Sequence, residues 1–210
     1  MLNEKLQWRY ATKAMDPNRT VPEDKVERIL EAISLAPTSS GLQPFEVLVI
    51  TNPDLRARLR AAANDQAQLT DGSHLLVFAA WDNYTAERIA SVPRQLEEER
   101  GGTNEGVESY YSNLAKAYLP RDPEVNFEHA ARQAYIAFGI GLTAAAFEGV
   151  DATPMEGFDA DRFDEILGLR ERGLRSVVIM PLGYRDTSRD WLVDLKKVRR
   201  PMDELVDEVA

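Results

Sequence analysis

Strand-length apolar runs alternate with segments of helical periodicity along the chain, and this alternation limits the fold more than any other feature. Residues 45–50 and 176–180 are rich in β-branched side chains, and residues 74–80 form a run apolar enough to be buried. The segment that ends near Ala36 instead repeats its apolar residues at i, i+3, i+4 and i+7, as an amphipathic helix does. Strands interleaved with helices indicate one α/β-type domain over residues 1–210.

Two helices carry further signals. Thr20 followed three residues later by Glu23 predicts a capping box at the start of the first amphipathic helix. The stretch 129–149 is apolar on nearly all sides, which predicts a buried helix. Gly139 and Gly141 weaken that helix, so they indicate close approach of another backbone. A subunit contact is favoured over the alternative of plain core packing.

Composition excludes several classes of protein. The 210 residues contain no Cys and two His, which excludes disulfides and thiolate chemistry and argues against a zinc site. No apolar run approaches the roughly 18 residues of a membrane helix. The net charge of −10 argues against general nucleic-acid binding. We expect a cytoplasmic protein without a membrane or nucleic-acid partner.

Basic residues nevertheless cluster near both ends of this acidic chain. Four of the five residues in 196–200 are Lys or Arg, and Arg9, Lys13 and Arg19 lie within the first twenty residues. Arg binds two phosphate oxygens at once and Lys adds a point charge, so a phosphate-bearing ligand is a natural partner. The alternative is a solvated basic face.

Two polar segments stand where a site could form. Residues 38–44 are small and polar and are bounded by prolines, and residues 154–157 read Pro-Met-Glu-Gly between a strand and a helix. Glu156 could act as a general base, or the peptide N–H groups beside Gly157 could face a ligand. The sequence has no dinucleotide-binding glycine motif, no Walker loop and no Gly-x-Ser-x-Gly elbow.

Six segments together carry a family resemblance across nearly the whole chain. They are residues 9–16, 36–45, 71–74, 132–135, 153–159 and 197–201. In this order and at this spacing, the set resembles the FMN-dependent nitroreductase family, in the branch of oxygen-insensitive NAD(P)H nitroreductases and dihydropteridine-reductase-like enzymes. Only the middle segment, residues 85–125, matches poorly.

The resemblance implies an α+β fold of the three-layer α/β type. A central mixed, mainly antiparallel sheet is flanked by helices, and the whole chain forms one nitroreductase-like FMN-binding domain. It also implies an intertwined homodimer with FMN bound at the subunit interface, and NADPH or NADH as electron donor. The electron acceptor would be a small molecule.

The resemblance also assigns roles to individual residues. Arg9, Lys197 and Arg199 would hold the FMN phosphate, and Lys13 would lie by the flavin pyrimidine ring. The backbone N–H groups of Glu156 and Gly157 would face flavin N5 and O4. The remaining cofactor contacts implied are Tyr10, Ala11, Pro37, Thr38, Ser39, Gly41, Asp65, Gln68, Pro154 and Met155. The loop 37–41 would approach the ring system from the partner subunit.

Some positions depart from the family pattern. Ala11 stands where Ser is common, which removes a hydroxyl donor, and Gly41 replaces a common Asn. Asp65 matches a position where many members have Asn, and Gln68 is the matching second contact. In the variable segment, Tyr110 or Tyr111 would stack over the flavin and gate the substrate.

The predicted reaction needs no protein nucleophile. NAD(P)H would give hydride to flavin N5 and leave, and a nitroaromatic, quinone or similar flat electrophile would then be reduced at the same site. One alternative is a flavin or enone reductase of the same family. Others are a non-catalytic flavin-binding protein and an anion-binding module that uses residues 196–200.

Overall fold

A four-stranded sheet forms the centre of the chain in the computed structural model, which describes residues 1–102 and 104–209. Its strands are β1 (Phe45–Ile50), β2 (His74–Trp81), β3 (Asp151–Ala152) and β4 (Leu174–Gly183). They lie in the order β1-β2-β4-β3, and the pairings among these strands are all antiparallel. The three long runs predicted as strands therefore form strands, and the expectation of a mainly antiparallel sheet is confirmed.

Helices surround this sheet. In chain order they are α1 (Leu2–Trp8), α2 (Glu23–Ser34), α3 (Pro53–Ala61), α4 (Gln68–Asp71), α5 (Ala86–Arg100), α6 (Glu105–Tyr118), α7 (Pro123–Phe147), α8 (Ala160–Leu167) and α9 (Met202–Leu205). A single 3₁₀ turn, Ser39–Gly41, lies between α2 and β1.

The sheet is the middle layer of three. Leu76 and Phe78 of β2 belong to the core beneath α2 and α7, whereas Leu75 and Val77 belong to the core beneath α3 and α8. This alternation follows from the two-residue period of a strand. All four side chains are fully buried, so β2 is covered on both faces. The three-layer α+β architecture expected from the resemblance is confirmed.

Helix α2 begins differently from the prediction. Its N-cap is Pro22, and no side chain caps the first turn, so the capping box from Thr20 to Glu23 is wrong. Glu23 is already the first helical residue, and its carboxylate lies 3.2 Å from His74 Nε2 instead. The helix start is thus held by a contact with β2 that the local sequence does not reveal.

Helix α7 has one buried face and one exposed face. A Cβ added to Gly141 would lie 2.9 Å from Ile33, so this glycine allows α7 to pack closely on α2. At Gly139, no heavy atom lies within 4 Å of such a Cβ, and neighbouring Ile136 is 42 % exposed. Gly141 therefore serves the core, and Gly139 faces an open surface. None of the described helices, α7 included, has the length and apolarity needed to cross a bilayer.

The segment that matches the family poorly folds as a helical hairpin of α5 and α6. Thr85 and Asn104 cap the two helices, since their side chains accept hydrogen bonds from Arg88 N and Val107 N. The hairpin rests on α7 through buried Tyr84, whose hydroxyl lies 2.7 Å from His129 Nδ1. This anchor joins residues 45 positions apart, and no local motif marks it.

Candidate functional site

The two basic segments of the sequence meet around one cavity. Residues 7–11, at the end of α1 and just after it, and residues 195–199 line a cavity of about 560 Å³ together with Pro154 and Arg185. Lys197 ties the two segments together, because its ammonium group donates to the backbone carbonyls of Leu6 and Arg9. The chain ends thus form opposite walls of a single cavity.

Arg9 carries two buried nitrogen atoms without a partner. Its Nε and Nη2 make no hydrogen bond with any described residue, although both are shielded from solvent. Burial lowers the pKa of Arg9, and nearby Arg199 lowers it further. Burial also lowers the pKa of Lys197, and Arg9 and Arg199 add to this effect. An unpaired buried donor costs about 1–3 kcal/mol, so this arrangement is suited to an anion that accepts from Arg9.

Arg185, on the same cavity, already has a partner. Its Nε and Nη2 donate to Asp151 Oδ1 at 2.9 and 2.5 Å, and Asp151 is 4 % exposed. Its guanidinium also stacks between Trp8 and Tyr10, 4.3 and 4.5 Å from the ring centroids. This cation therefore packs the end of α1 onto β3, and its charge is compensated within the chain.

A second buried carboxylate, that of Asp190, holds the segment after Arg9. Asp190 is 3 % exposed, and its Oδ2 accepts from Tyr10 Oη and from Lys13 N, each at 2.9 Å. Burial raises the pKa of Tyr10, and the hydrogen bond to Asp190 adds to this. The Lys13 side chain is exposed, and its ammonium group pairs with no described residue. Ala11, between them, lines the cavity.

The Pro-Met-Glu-Gly turn continues from the cavity wall. Pro154 lines the cavity, and Met155 pairs with Ile179 of β4 through two backbone hydrogen bonds of 3.0 Å. Among the described residues, no acceptor is bonded to the backbone N–H of Glu156 or of Gly157. The Glu156 side chain is exposed, and it accepts a 2.5 Å hydrogen bond from Tyr135 Oη. Two amide donors without a protein partner among the described residues therefore stand side by side in the exposed turn that follows Pro154.

Two amide side chains hold this turn from the opposite side. Asn64 Nδ2 and Gln66 Nε2 both donate to the carbonyl of Gly157 at 2.9 Å. A Cβ on Gly157 would make only ordinary contacts with these groups, the nearest at 3.5 Å. Crowding within this chain therefore does not explain why residue 157 is a glycine.

The structure separates Asp65 and Gln68, which the resemblance implies as a pair of cofactor contacts. Asp65 is 81 % exposed at its side chain, and its Oδ1 accepts from Arg60 Nε at 2.7 Å. Gln68 is buried at the start of α4, and its Nε2 donates to Thr12 O at 3.3 Å. Gln68 therefore lies against the 9–13 segment, whereas Asp65 is turned toward α3.

The polar loop lies with the two tyrosines of α6. Ser40 and Gly41 both have left-handed backbone conformations, with φ of 56° and 64°. Ser40 Oγ lies 2.7 Å from Tyr110 Oη, and Tyr111 Oη donates to Ser40 O at 2.9 Å. Around this turn, Pro37 is exposed and Thr38 Oγ1 accepts from Gln43 N at 3.0 Å. Loop and tyrosines thus form one hydrogen-bonded unit.

Helix α7 separates this unit from the Glu156 turn. Gln133 Oε1 accepts from Ser39 N at 2.8 Å, while Tyr135, two residues later, bonds to Glu156. Two residues correspond to a rotation of about 200° around the helix axis, so their side chains point to nearly opposite sides. The loop and the turn therefore lie on different sides of α7, and no loop residue lines the 560 Å³ cavity.

Sequence reasoning missed several residues that shape the site. They are Asn64, Gln66, Tyr135, Asp151, Arg185 and Asp190. Each acts through a contact with a distant segment, such as the 180 residues between Tyr10 and Asp190. Of these six residues, only Tyr135 lies in a segment that carries the family resemblance. Its place in that segment was the only sequence signal that could have pointed to one of them.

Comparison with known proteins identifies the family. The sequence model of the nitroreductase family matches residues 6–184. The oxygen-insensitive NAD(P)H nitroreductase of Salmonella typhimurium is 30 % identical over 213 residues, which cover 96 % of each chain.

Two solved structures share the fold. A protein from Exiguobacterium sibiricum, crystallised in complex with FMN, has a TM-score of 0.84 at 19 % identity and covers 100 % of this chain and 97 % of its own. An enone reductase of gut-bacterial fatty acid saturation has a TM-score of 0.83 at 19 % identity, with coverage of 100 % and 98 %. With the family model matching residues 6–184 and a relative aligned along nearly its whole length, the chain belongs to the nitroreductase family.

Proposed function

We propose that this chain is an FMN-dependent oxidoreductase that takes hydride from NADPH or NADH and reduces nitroaromatics, quinones or similar flat electrophiles. As a member of the nitroreductase family it is an oxidoreductase. The observation that carries the assignment of a phosphate-bearing cofactor is the pair of buried, unpaired nitrogens of Arg9, Nε and Nη2, in a cavity shared with Lys197 and Arg199.

The residues present fit the phosphate of FMN. A phosphate monoester carries about −1.5 to −2 charges at neutral pH, which three cations compensate well. Arg9 Nε and Nη2 supply donors that the chain leaves unused, and Lys197 and Arg199 line the same cavity. A bound anion would offset the burial and the mutual repulsion that lower the pKa of Arg9 and of Lys197.

The neighbouring groups suit the ring system. When bound, FMN would supply the hydride chemistry, accepting from a nicotinamide and passing to the acceptor. Lys13 follows the cavity-lining Ala11 by two residues and has an exposed ammonium group, which near the ring would favour a negatively charged reduced form. The free amides of Glu156 and Gly157 would donate to the polar edge of that ring, and Gln68 would support the 12–13 backbone. No side chain needs to act as nucleophile.

A homodimer would complete this site. The loop at Ser39 lies on the other side of α7 from the Glu156 turn, so it would serve the cavity of a second copy. The exposed face of α7 at Ile136, Gly139 and Phe147 offers the surface for that association. The loop would carry Tyr110 and Tyr111 with it and place them as gating residues over the ring.

One named relative in fold favours a second acceptor class. The enone reductase structure covers 100 % of this chain at 19 % identity, a likeness of fold alone. An activated C=C bond next to a carbonyl is, like a nitroarene, a flat acceptor of hydride. Reduction of enones is therefore the second candidate, and a substrate panel distinguishes the two.

The test is the visible spectrum of the purified protein, before and after anaerobic addition of NADPH and then NADH. We expect a yellow protein that bleaches with at least one donor and recovers with a nitroarene or quinone. A yellow protein that neither donor bleaches favours a non-catalytic flavin carrier. A colourless protein that FMN cannot reconstitute overturns the proposal.

A further inference from the structure

We propose that Asp190 is a positioning residue for Lys13, and that it acts through Lys13 on the reduction potential of the bound flavin. This inference rests on the proposed function. The inference extends that function by naming a residue that would contact neither the phosphate nor the ring of FMN and that belongs to no sequence motif. Asp190 lies in the irregular segment between β4 and the basic cluster, far in sequence from the N-terminal residues that it holds.

Three hydrogen bonds converge on this carboxylate. Oδ2 accepts from Tyr10 Oη and from Lys13 N, and Oδ1 accepts from Leu192 N, all at 2.9 Å. Asp190 therefore joins the segment that bears Arg9 and Lys13 to the segment that leads to Lys197. Of these bonds, the one to Lys13 N bears on the orientation of the exposed ammonium group.

The bond to Lys13 completes a clamp around the residue before it. Thr12 is fully buried, and its Oγ1 donates to Asp151 Oδ1 at 3.2 Å. Its carbonyl accepts from Gln68 Nε2 at 3.3 Å and from Thr153 Oγ1 at 2.9 Å. These hydrogen bonds fix Thr12 and the backbone N–H of Lys13, so only the side chain of Lys13 is left unconstrained.

Only neutral groups donate to the Asp190 carboxylate among the described residues. It is 3 % exposed, and no cation among the described residues lies within ion-pair distance of it. A buried carboxylate held by neutral donors is costly, because these donors replace only part of its hydration. Two of its three donors are backbone amides, which an acceptor-only carboxylate suits and which the NH₂ end of a neutral amide would oppose. An acceptor-only carboxylate therefore matches the positions of these donors.

The direction of the effect separates positioning from a simple charge effect. A cation held near the ring favours the reduced, negatively charged flavin and raises its potential. If Asp190 positions Lys13, then Asp190→Asn displaces the cation and lowers the potential. If Asp190 acted only through its own negative charge, the same substitution would raise the potential. The two explanations thus predict opposite signs.

The experiment measures the FMN midpoint potential of the holoenzyme in wild type, Lys13→Ala, Asp190→Asn and the double variant. We expect Lys13→Ala to weaken binding of reduced relative to oxidised FMN about tenfold, which is about 30 mV for a two-electron couple. Asp190→Asn should shift the potential in the same direction by a third or more of that amount. In the Lys13→Ala background it should add nothing, because coupled residues are not additive.

Controls make each outcome decisive. Asp164→Asn changes another carboxylate that is 1 % exposed and accepts from Ser176 N at 2.8 Å, away from the cavity, and should leave the potential unchanged. If the Asp190→Asn variant does not bind FMN, Asp190→Glu replaces it in the experiment. This variant keeps the carboxylate but moves its oxygens away from Lys13 N, so it should also lower the potential.

An unchanged or raised potential in the Asp190 variants overturns this inference, as does a shift of equal size with and without Lys13. In those cases a wild type that binds FMN and is bleached by NAD(P)H leaves the proposed function standing. A wild type without FMN overturns both.

Discussion

At the scale of single residues, the site is defined by groups that the chain leaves unsatisfied. Arg9 Nε and Nη2 are buried without a partner, and the amides of Glu156 and Gly157 donate to nothing among the described residues. Buried polar groups in folded proteins are nearly always paired. Buried donors left unused at a cavity are therefore the most direct sign of a ligand, and Arg9 supplies two of them.

Arg9→Met should weaken FMN binding about a hundredfold, because two charge-assisted hydrogen bonds to phosphate are lost. Riboflavin, which lacks the phosphate, should bind wild type and variant equally. The FMN-free variant should be more stable than FMN-free wild type, since two unpaired buried donors are removed. Fluorescence titrations and urea unfolding measure these effects, with exposed Arg58→Met as the control. Equal losses for FMN and riboflavin would contradict a phosphate role.

Glu156→Gln should keep the rate within about threefold of wild type. The amide oxygen of Gln can still accept from Tyr135 Oη, and the backbone donors are unchanged. Steady-state turnover with NADPH and a quinone measures this. A loss of a hundredfold or more would show that the carboxylate acts as an acid or base, the alternative that the sequence left open.

At the scale of elements, contacts between distant segments hold the site in place. The 3₁₀ turn at Ser40 is bonded to α6, the Glu156 turn to α7, and the α5–α6 hairpin to α7. Each bond joins residues that are well separated in the sequence, so element boundaries alone do not predict them. Local contacts fix some helix ends, as at Asp159, whose side chain caps α8 by accepting from Arg162 N.

Tyr110→Phe combined with Tyr111→Phe should loosen the Ser39–Gly41 turn. Ser40 has a φ of 56°, which is unfavourable for a residue with a Cβ, and the two phenols bond to it. Loss of about 2 kcal/mol of hydrogen bonding should speed amide exchange across residues 38–42 more than tenfold. The KM for the electron acceptor should change as well. Tyr84→Phe, which loses its bond to His129 instead, should leave the turn unchanged.

The anchor of the α5–α6 hairpin should make stability depend on pH. Burial lowers the pKa of His129 below its usual 6.5, and Arg121 and Arg132 lower it further. The unfolded chain then binds more protons than the folded chain as pH falls below about 6.5, so stability falls with pH in that range. His129→Gln should lose this part of the slope. Urea unfolding at pH 7.5 and 5.5 measures this effect. If the free energy of unfolding changes equally with pH in wild type and variant, His129 is not the source of the pH dependence.

At the scale of the whole molecule, one chain brings together only part of the proposed site. The cavity is built by both ends of the chain, whereas the Ser39 turn and its tyrosines lie across α7. The face of α7 around Gly139 is open, and large apolar side chains are exposed from Trp191 onward, including Leu195 and Met202. These features are consistent with a second copy that covers them.

The two glycines of α7 offer a matched test of the dimer. Gly139→Leu meets no atom within 4 Å in the monomer and should strengthen the helix by about 1 kcal/mol, yet it would block a second helix. We expect a folded monomer with reduced FMN affinity. Gly141→Leu collides with Ile33 and Met180 and should destabilise the fold itself. Light scattering and thermal unfolding separate the outcomes, and a Gly139→Leu dimer of normal mass would contradict this interface.

The sequence by itself determined the three long strands, the amphipathic helix that ends near Ala36 and the family. These properties depend on hydrophobic periodicity and on short motifs that are continuous in the chain, as residues 45–50 show. It also placed Arg9, Lys197 and Arg199 in one group, through the spacing of motifs that the family shares.

Only the tertiary structure decided which polar groups find a partner within the chain. Arg185 is neutralised by Asp151 while Arg9 is not, and Asp65 turns to Arg60 while Gln66 turns to Gly157. It also decided that Gly141 packs in the core and Gly139 faces outward. The physical reason is the same in each case. Pairing and burial depend on distances between segments far apart in the chain, and the periodicity of a single segment contains no record of them.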